Sequence, residues 1–152
     1  MAPPRLGVGG VDAITGAVSG PAFAATSVPI YGLDVSPDGA VLYGAQQSSQ
    51  LTAWTAATGV PRWRVAVDGS AQAVKYFDGT VYFGFHDGYR GDTSIKLLAV
   101  NPDNGAVDAA FMPAINSFYG VRAIDASSGG LVVGGNFTTV SGVSARHLAI
   151  FP

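Results

Sequence analysis

Apolar positions along this chain fall in short runs, each closed by residues that favour turns. Tyr31 to Val35 reads as a strand, and Ser36-Pro37-Asp38-Gly39 as the turn that ends it. Val41 to Gln46 is a second strand and Gln50 to Thr55 a third. Ala57-Thr58-Gly59 then turns the chain into a fourth, Pro61 to Val67. Asp78-Gly79 and Asp103-Asn104-Gly105 are the corresponding turns downstream. Such Asp-Gly and Asn-Gly pairs supply the positive φ that tight hairpins need. No glycine- and proline-free window of about ten residues carries an apolar stripe at helical spacing. The pattern predicts an all-β chain.

The strands recur as a repeat. Val11-Asp12-Ala13-Ile14-Thr15-Gly16 aligns with Trp54 to Gly59 and with Val100 to Gly105. The three glycines are 43 and then 46 residues apart. A second marker joins Val41 to Gly44, Val81 to Gly84 and Leu131 to Gly134, with glycines 40 and then 50 apart. A third joins Tyr31 to Val35, Ala71 to Lys75 and Tyr119 to Ile124. Four short strands repeating at such a period describe β-propeller blades, that is, four-stranded antiparallel sheets. Glycines inside the second strand (Gly44, Gly84, Gly134, Gly135) suit the close backbone approach near a propeller axis. A β-sandwich would give similar hairpins but does not require three markers in one order.

Residues 29–68 and 71–113 each read as a complete blade. Residues 5–22 hold the last two strands of another blade and 119–152 the first three. Residues 1–152 therefore form one partial propeller domain with a split blade. The total is about three blades, whereas propellers close with four to eight. An open arc would leave two bare edges, which invite aggregation. Three resolutions follow: a fragment of a longer protein, a homodimer with six blades about a two-fold axis, or neighbouring chains that complete the ring. In the dimer, the N-terminal strands of one copy would complete the C-terminal blade of the other.

Composition narrows the function. Hydrophobic residues make up 48% and charged residues 12%, well below the usual share of about 25%. The chain can fold on apolar burial. A net charge of −2 gives no electrostatic case for nucleic acid or an anionic membrane surface. With no cysteine, disulfides and thiolate chemistry are excluded. No apolar stretch reaches the length of a membrane span. Met1 to Arg5 lacks the apolar core of a signal peptide.

Two stretches carry family resemblances. Leu131-Val-Val-Gly-Gly-Asn-Phe-Thr-Thr-Val-Ser-Gly142, followed by Arg146-His-Leu-Ala-Ile-Phe151, resembles the delta-sixty-type propeller repeat. The resemblance is good over 119 to 151 and weaker over 29 to 112. That repeat occurs in bacterial, especially actinobacterial, secreted and surface proteins. It implies a propeller at an extracellular or particle surface, with no chemistry of its own. Ala53 to Trp63 is similar to the tryptophan-docking repeat of quinone-dependent propellers, where the tryptophan wedges between blades. Here Thr55 stands in place of the repeat's aspartate, and Gly20 and Ala109 stand where the tryptophan would recur. One copy in three argues against a quinone enzyme.

The most polar stretch is the loop from His86 to Asp92. His86, Asp87, Tyr89, Arg90 and Asp92, with the loop aromatics Phe118 and Tyr119, are the candidate binding residues. One histidine with two aspartates is neither a zinc ligand set nor a calcium loop, so no metal or other cofactor is expected. His147 should alternate with Ala149 and Phe151 in a strand. No G-x-S-x-G is present, no carboxylate pair is placed for glycoside chemistry, and Gly7 to Gly10 does not lead into a helix. Asn136-Phe137-Thr138 is formally a glycosylation sequon, better read as a strand-end motif in which Asn136 and Thr138 satisfy backbone groups. The reading is a non-catalytic module for binding or assembly, with a carbohydrate or protein partner. The alternatives are a remnant of a quinoprotein- or lyase-like enzyme propeller, and a structural part of a larger assembly such as a virion or tail.

Overall fold

The computed structural model describes residues 8–23 and 28–152. The starting Met1 to Arg5 and the first part of the glycine-rich run lie outside these residues. Fourteen strands form in the described residues, and no helix. They are β1 (Gly10–Val11), β2 (Val18–Ser19), β3 (Ile30–Val35), β4 (Val41–Gln46), β5 (Gln50–Thr55), β6 (Pro61–Ala66), β7 (Ala71–Phe77), β8 (Thr80–Phe85), β9 (Leu97–Val100), β10 (Val121–Ser127), β11 (Gly130–Gly135), β12 (Thr139–Val140), β13 (Val143–Ser144) and β14 (Leu148–Phe151). The sheet orders are β3-β4-β5-β6, β7-β8-β9 and β10-β11-β14, with two hairpins, β1-β2 and β12-β13. Every pairing is antiparallel.

Successive sheets stack face to face. Tyr43 on β4 stacks on Tyr76 on β7, with ring centroids 6.2 Å apart. Asp34 on β3 accepts the backbone N–H of Tyr76 at 2.7 Å. Lys75 on β7 meets Asp125 on β10 at 3.1 Å. One apolar cluster (Tyr43, Leu51, Trp63, Phe83, Phe85 and neighbours) fills the first junction. Another (Leu97, Val121, Leu131, Val133, Phe137) fills the second.

The turn predicted at three places forms three times with one geometry. Gly16, Gly59 and Gly105 have φ of 70, 70 and 74°. Each donates its N–H back to the residue four positions earlier: Asp12, Thr55 and Asn101. The second and third of these turns rest on what precedes them in the chain. A Cβ on Gly105 would lie 2.7 Å from the indole of Trp63. On Gly59 it would run into the Ala22 carbonyl. Trp63 also donates its indole N–H to the Pro102 carbonyl at 2.8 Å. The single tryptophan of docking type therefore wedges between units. At the same place one unit earlier, Phe23 meets Trp54 edge-on at 6.2 Å.

Three expectations are corrected. The first strand of each sheet carries a bulge, after Ile30, Ala71 and Val121. Aligning those bulges makes Ala45, not Gly44, the equivalent of Gly84 and Gly134. Gly44 instead opens room for the Trp54 ring, 2.7 Å from its built Cβ. Second, the fourth strand of the second unit shrinks to one bridge, Val100 to Val107. Asp108 starts a turn there by accepting the N–H of Ala110 at 2.9 Å. Third, His147 is not within a strand. It takes φ 67° just before β14, and its ring lies 3.3 Å from the Gly135 carbonyl.

Candidate functional site

The second and third sheets each carry an excursion at the same end, where β8 passes to β9 and β11 to β14. The equivalent β4–β5 connection is a short turn. Between these excursions, and against residues 114–118, lies a cavity of about 630 Å³. Asp87, Ser94, Lys96, Asn116, Phe118 and Thr139 are among its lining residues.

The β8–β9 excursion is held rigidly by its own backbone. Tyr89 and Asp92 exchange N–H to carbonyl bonds at 3.1 and 3.0 Å. Arg90 and Gly91, both at positive φ, form the primed two-residue turn between them. Asp68 accepts the N–H of Gly91 at 2.7 Å and anchors the loop to the segment just after β6. At the loop's start, His86 Nε2 accepts the N–H of Ser70 at 3.1 Å. That bond leaves the ring proton on Nδ1, which faces Asp87 Oδ2 at 3.1 Å. The contact is not a hydrogen bond, and Nδ1 is a buried nitrogen without a hydrogen-bond partner.

Lys96 is the residue that sequence reading missed. It lies in the apolar run just before β9 and is 1% exposed. Its Nζ donates to the Asp87 carbonyl at 2.6 Å. Burial pushes its pKa down, while the nearby carboxylates of Asp87, Asp68 and Asp92 oppose the shift. The signal was present: one cation inside Ile95 to Val100 breaks an otherwise apolar strand.

The predicted site residues divide. His86, Asp87, Phe118 and Tyr119 come together. The His86 and Phe118 rings are 5.9 Å apart, and Phe118 meets Tyr119 edge-on at 5.2 Å. Phe118 is 65% exposed and also lines a second cavity of about 500 Å³. There it is joined by Tyr119 and by the three bulge residues Tyr31, Gln72 and Arg122. The repeated bulge thus aims one side chain from each sheet at a shared inner space. Arg122 lies over the Tyr119 ring at 5.0 Å.

Tyr89, Arg90 and Asp92 stand apart from this group. Tyr89 is buried in the first apolar cluster, so its ring is not at the surface. Arg90 covers that ring at 5.0 Å. Tyr89 and Arg90 line a third space of about 610 Å³ beside Asp68 and Met112. Asp92 bonds the Ser94 hydroxyl and N–H, which hold its carboxyl below the ordinary value. The strand-end role read for Asn136 falls to Asn116. Its Oδ1 accepts the N–H groups of Thr138 and Thr139 at 2.9 and 2.7 Å, and its Nδ2 donates to Thr138 Oγ1. Phe137 between them is a buried anchor. Among the described residues, no three His, Cys, Asp or Glu side chains are grouped to hold a metal ion.

No protein-family model matches the chain, and no curated protein does. Solved structures do match it. The computationally designed Ika8 protein aligns with TM-score 0.59 and 14% identity, over 84% of this chain and 36% of that one. BamB from Moraxella catarrhalis aligns with TM-score 0.59 and 16% identity, over 98% of this chain and 47% of that one. The WD40 repeats of RRP9 align with TM-score 0.55 and 17% identity, over 70% and 31%. The chain is an arc of β-propeller blades. It spans about a third to a half of the length of each structure it matches. At these identities the likeness concerns the fold alone.

Proposed function

We propose that this chain is a non-catalytic binding module of the delta-sixty-type propeller class, displayed outside the cell or on a particle surface. Its ligand site is the groove between the second and third blades, and the partner is a carbohydrate or a protein segment. The observation that carries this reading is Phe118. It is a well-exposed ring standing between two cavities, backed by its neighbour Tyr119 and by His86 and Asp87 at the start of a loop pinned by main-chain bonds. A rigid aromatic offers contact area at low entropic cost. Lys96, Asn116 and Asp92 beneath it already have partners inside the protein, while His86 Nδ1 is buried without a hydrogen bond. A quinoprotein- or lyase-like role would need His86 and Arg90 to act together, yet Arg90 lines the other side of the loop, in the Asp68 space.

The test is titration calorimetry against a panel of soluble polysaccharides and extended peptides, with wild type and Phe118→Ala. A saturable partner whose affinity falls at least tenfold in the variant supports the site. A partner bound equally by both moves the function elsewhere on the arc.

A further inference from the structure

The outer edge of β6 carries main-chain groups that no other part of the described chain uses. Val67 donates its N–H to the Ser49 carbonyl at 2.9 Å. In that register the pairs Leu51–Val65 and Ala53–Trp63 exchange hydrogen bonds across the β5–β6 ladder. Arg64 and Ala66 alternate with them, opposite Thr52 and Gln50. Their N–H and C=O groups therefore point away from β5, and none finds a partner among the described residues. Both residues are exposed. The next residue in that row, Asp68, donates its N–H to the Gly88 carbonyl at 2.9 Å. The row is thus paired with the start of the β8–β9 loop at Asp68 and bare at Ala66 and Arg64.

Beside the bare stretch lies the space of about 610 Å³ already described, with Val65 and Val67 on the β6 side and Val107 and Met112 on the other. The second blade leaves this space because the segment between its Val100–Val107 and Ile95–Ala114 bridges is longer than the β9 stretch it faces, and does not lie flat as a fourth strand. Arg64 and Arg90 also line the space. Both are exposed, and neither pairs with a carboxylate among the described residues. The carboxylate among the lining residues, Asp68, is taken up by the Gly91 N–H.

We infer that β6 takes an extended, acidic segment of another protein as an added strand. Such a strand would bond the free N–H and C=O groups of Arg64 and Ala66, which only a polypeptide backbone matches in spacing. Its side chains would alternate between two sides. Those opposite Val65 and Val67 enter the space beside Val107 and Met112, and are apolar. Those opposite Arg64 meet a guanidinium, and are acidic. A second copy of this chain suits the edge poorly. Two β6 strands pairing antiparallel would bring Arg62 and Arg64 of both copies together, and facing like charges oppose pairing. The site shares no lining residue with the groove at Phe118 and does not rest on the function proposed for that groove.

The experiment is fluorescence anisotropy with a labelled, end-capped octapeptide of alternating valine and glutamate. Saturable binding to the wild type is expected. Ala66→Pro removes one outward N–H without touching a β5–β6 bond. It should keep the wild-type circular dichroism spectrum and weaken binding about tenfold. Arg64→Glu should turn the preference toward a valine–lysine peptide. Two further peptides, N-methylated on the glutamates or on the valines, leave the protein unaltered. The one whose methyl groups face β6 should lose binding, whichever way the strand runs. A wild type that does not bind the valine–glutamate peptide overturns the inference, as does binding of both methylated peptides at full affinity. So does an affinity that Ala66→Pro leaves unchanged, or self-association of the wild type that Ala66→Pro abolishes, which would give the edge to a second copy. Neither Arg64 nor Ala66 lines the groove at Phe118, so calorimetry there and this titration fail separately.

Discussion

The thrice-repeated turn allows a comparison in which the same chemical change meets three different neighbours. Gly16, Gly59 and Gly105 share one left-handed conformation, with φ of 70 to 74°. Alanine there costs about 1–2 kcal/mol from the backbone alone. At Gly16 nothing lies within 4 Å of the new methyl, so the backbone cost is the whole effect. At Gly105 the methyl would sit 2.7 and 2.9 Å from two carbons of the Trp63 indole. The ring must move, which adds about 1–3 kcal/mol of overpacking. It also strains the indole bond to Pro102, worth about 1 kcal/mol. Gly105→Ala should therefore cost about 3–6 kcal/mol in all. Gly59→Ala should fall in the same range, because its obstacle is the unyielding backbone at Ala22. Urea unfolding followed by far-ultraviolet circular dichroism measures all three at one protein concentration. If Gly105→Ala and Gly16→Ala agree within about 0.5 kcal/mol, the turns do not bear on the preceding blade and the stacking argument is wrong.

Three further outcomes are expected. Trp63→Phe keeps most of the wedge but strands the Pro102 carbonyl, and should lower stability by about 1–2 kcal/mol in the same assay. Gly84→Ala forces a methyl into Val121 across the second junction and should cost about 1–3 kcal/mol, read as a drop in melting temperature. Tyr43 is buried between Tyr76 and Trp63, and burial raises its pKa from 10.0 to about 12. The folded state then holds that proton more tightly than the unfolded state. Its contribution is full below pH 10 and is lost as pH rises toward 12. Ultraviolet phenolate titration should find Tyr43 ionising last, and Tyr43→Phe should flatten that part of the stability profile.

The repeat was legible because its turns use residues that few other conformations accept. Glycine at positive φ marked Gly16, Gly59 and Gly105 directly, and all three turns formed as read. Glycine inside a strand is a weaker marker, since it records only that something comes close. Gly44 makes room for Trp54 of its own sheet, whereas Gly84 makes room for Val121 of the next one, and the two cannot be told apart in sequence. Side-chain burial was harder still. Tyr89 looked like a loop aromatic, but the primed turn at Arg90-Gly91 folds its ring into the core. Lys96 drew no reading from the sequence, yet it is buried and the Asp87 carbonyl accepts from its ammonium. Each outcome depends on a partner far away in the sequence or on a main-chain direction that residue types alone do not encode. His147 is similar: the alternation from Ala149 to Phe151 is real, yet its own backbone has already left the strand.

The seating of Gly59 and Gly105 on surfaces that precede them gives the molecule a direction. The turn at Gly59 is seated on Ala22–Phe23 and the turn at Gly105 on Trp63, whose indole bonds back to Pro102 within that turn. On a ribosome, the surfaces that seat Gly59 and Gly105 would emerge before the turns that use them. Each added blade would be templated by its nearest neighbours alone. A chain built this way can gain or lose whole blades between turns without redesigning those that remain.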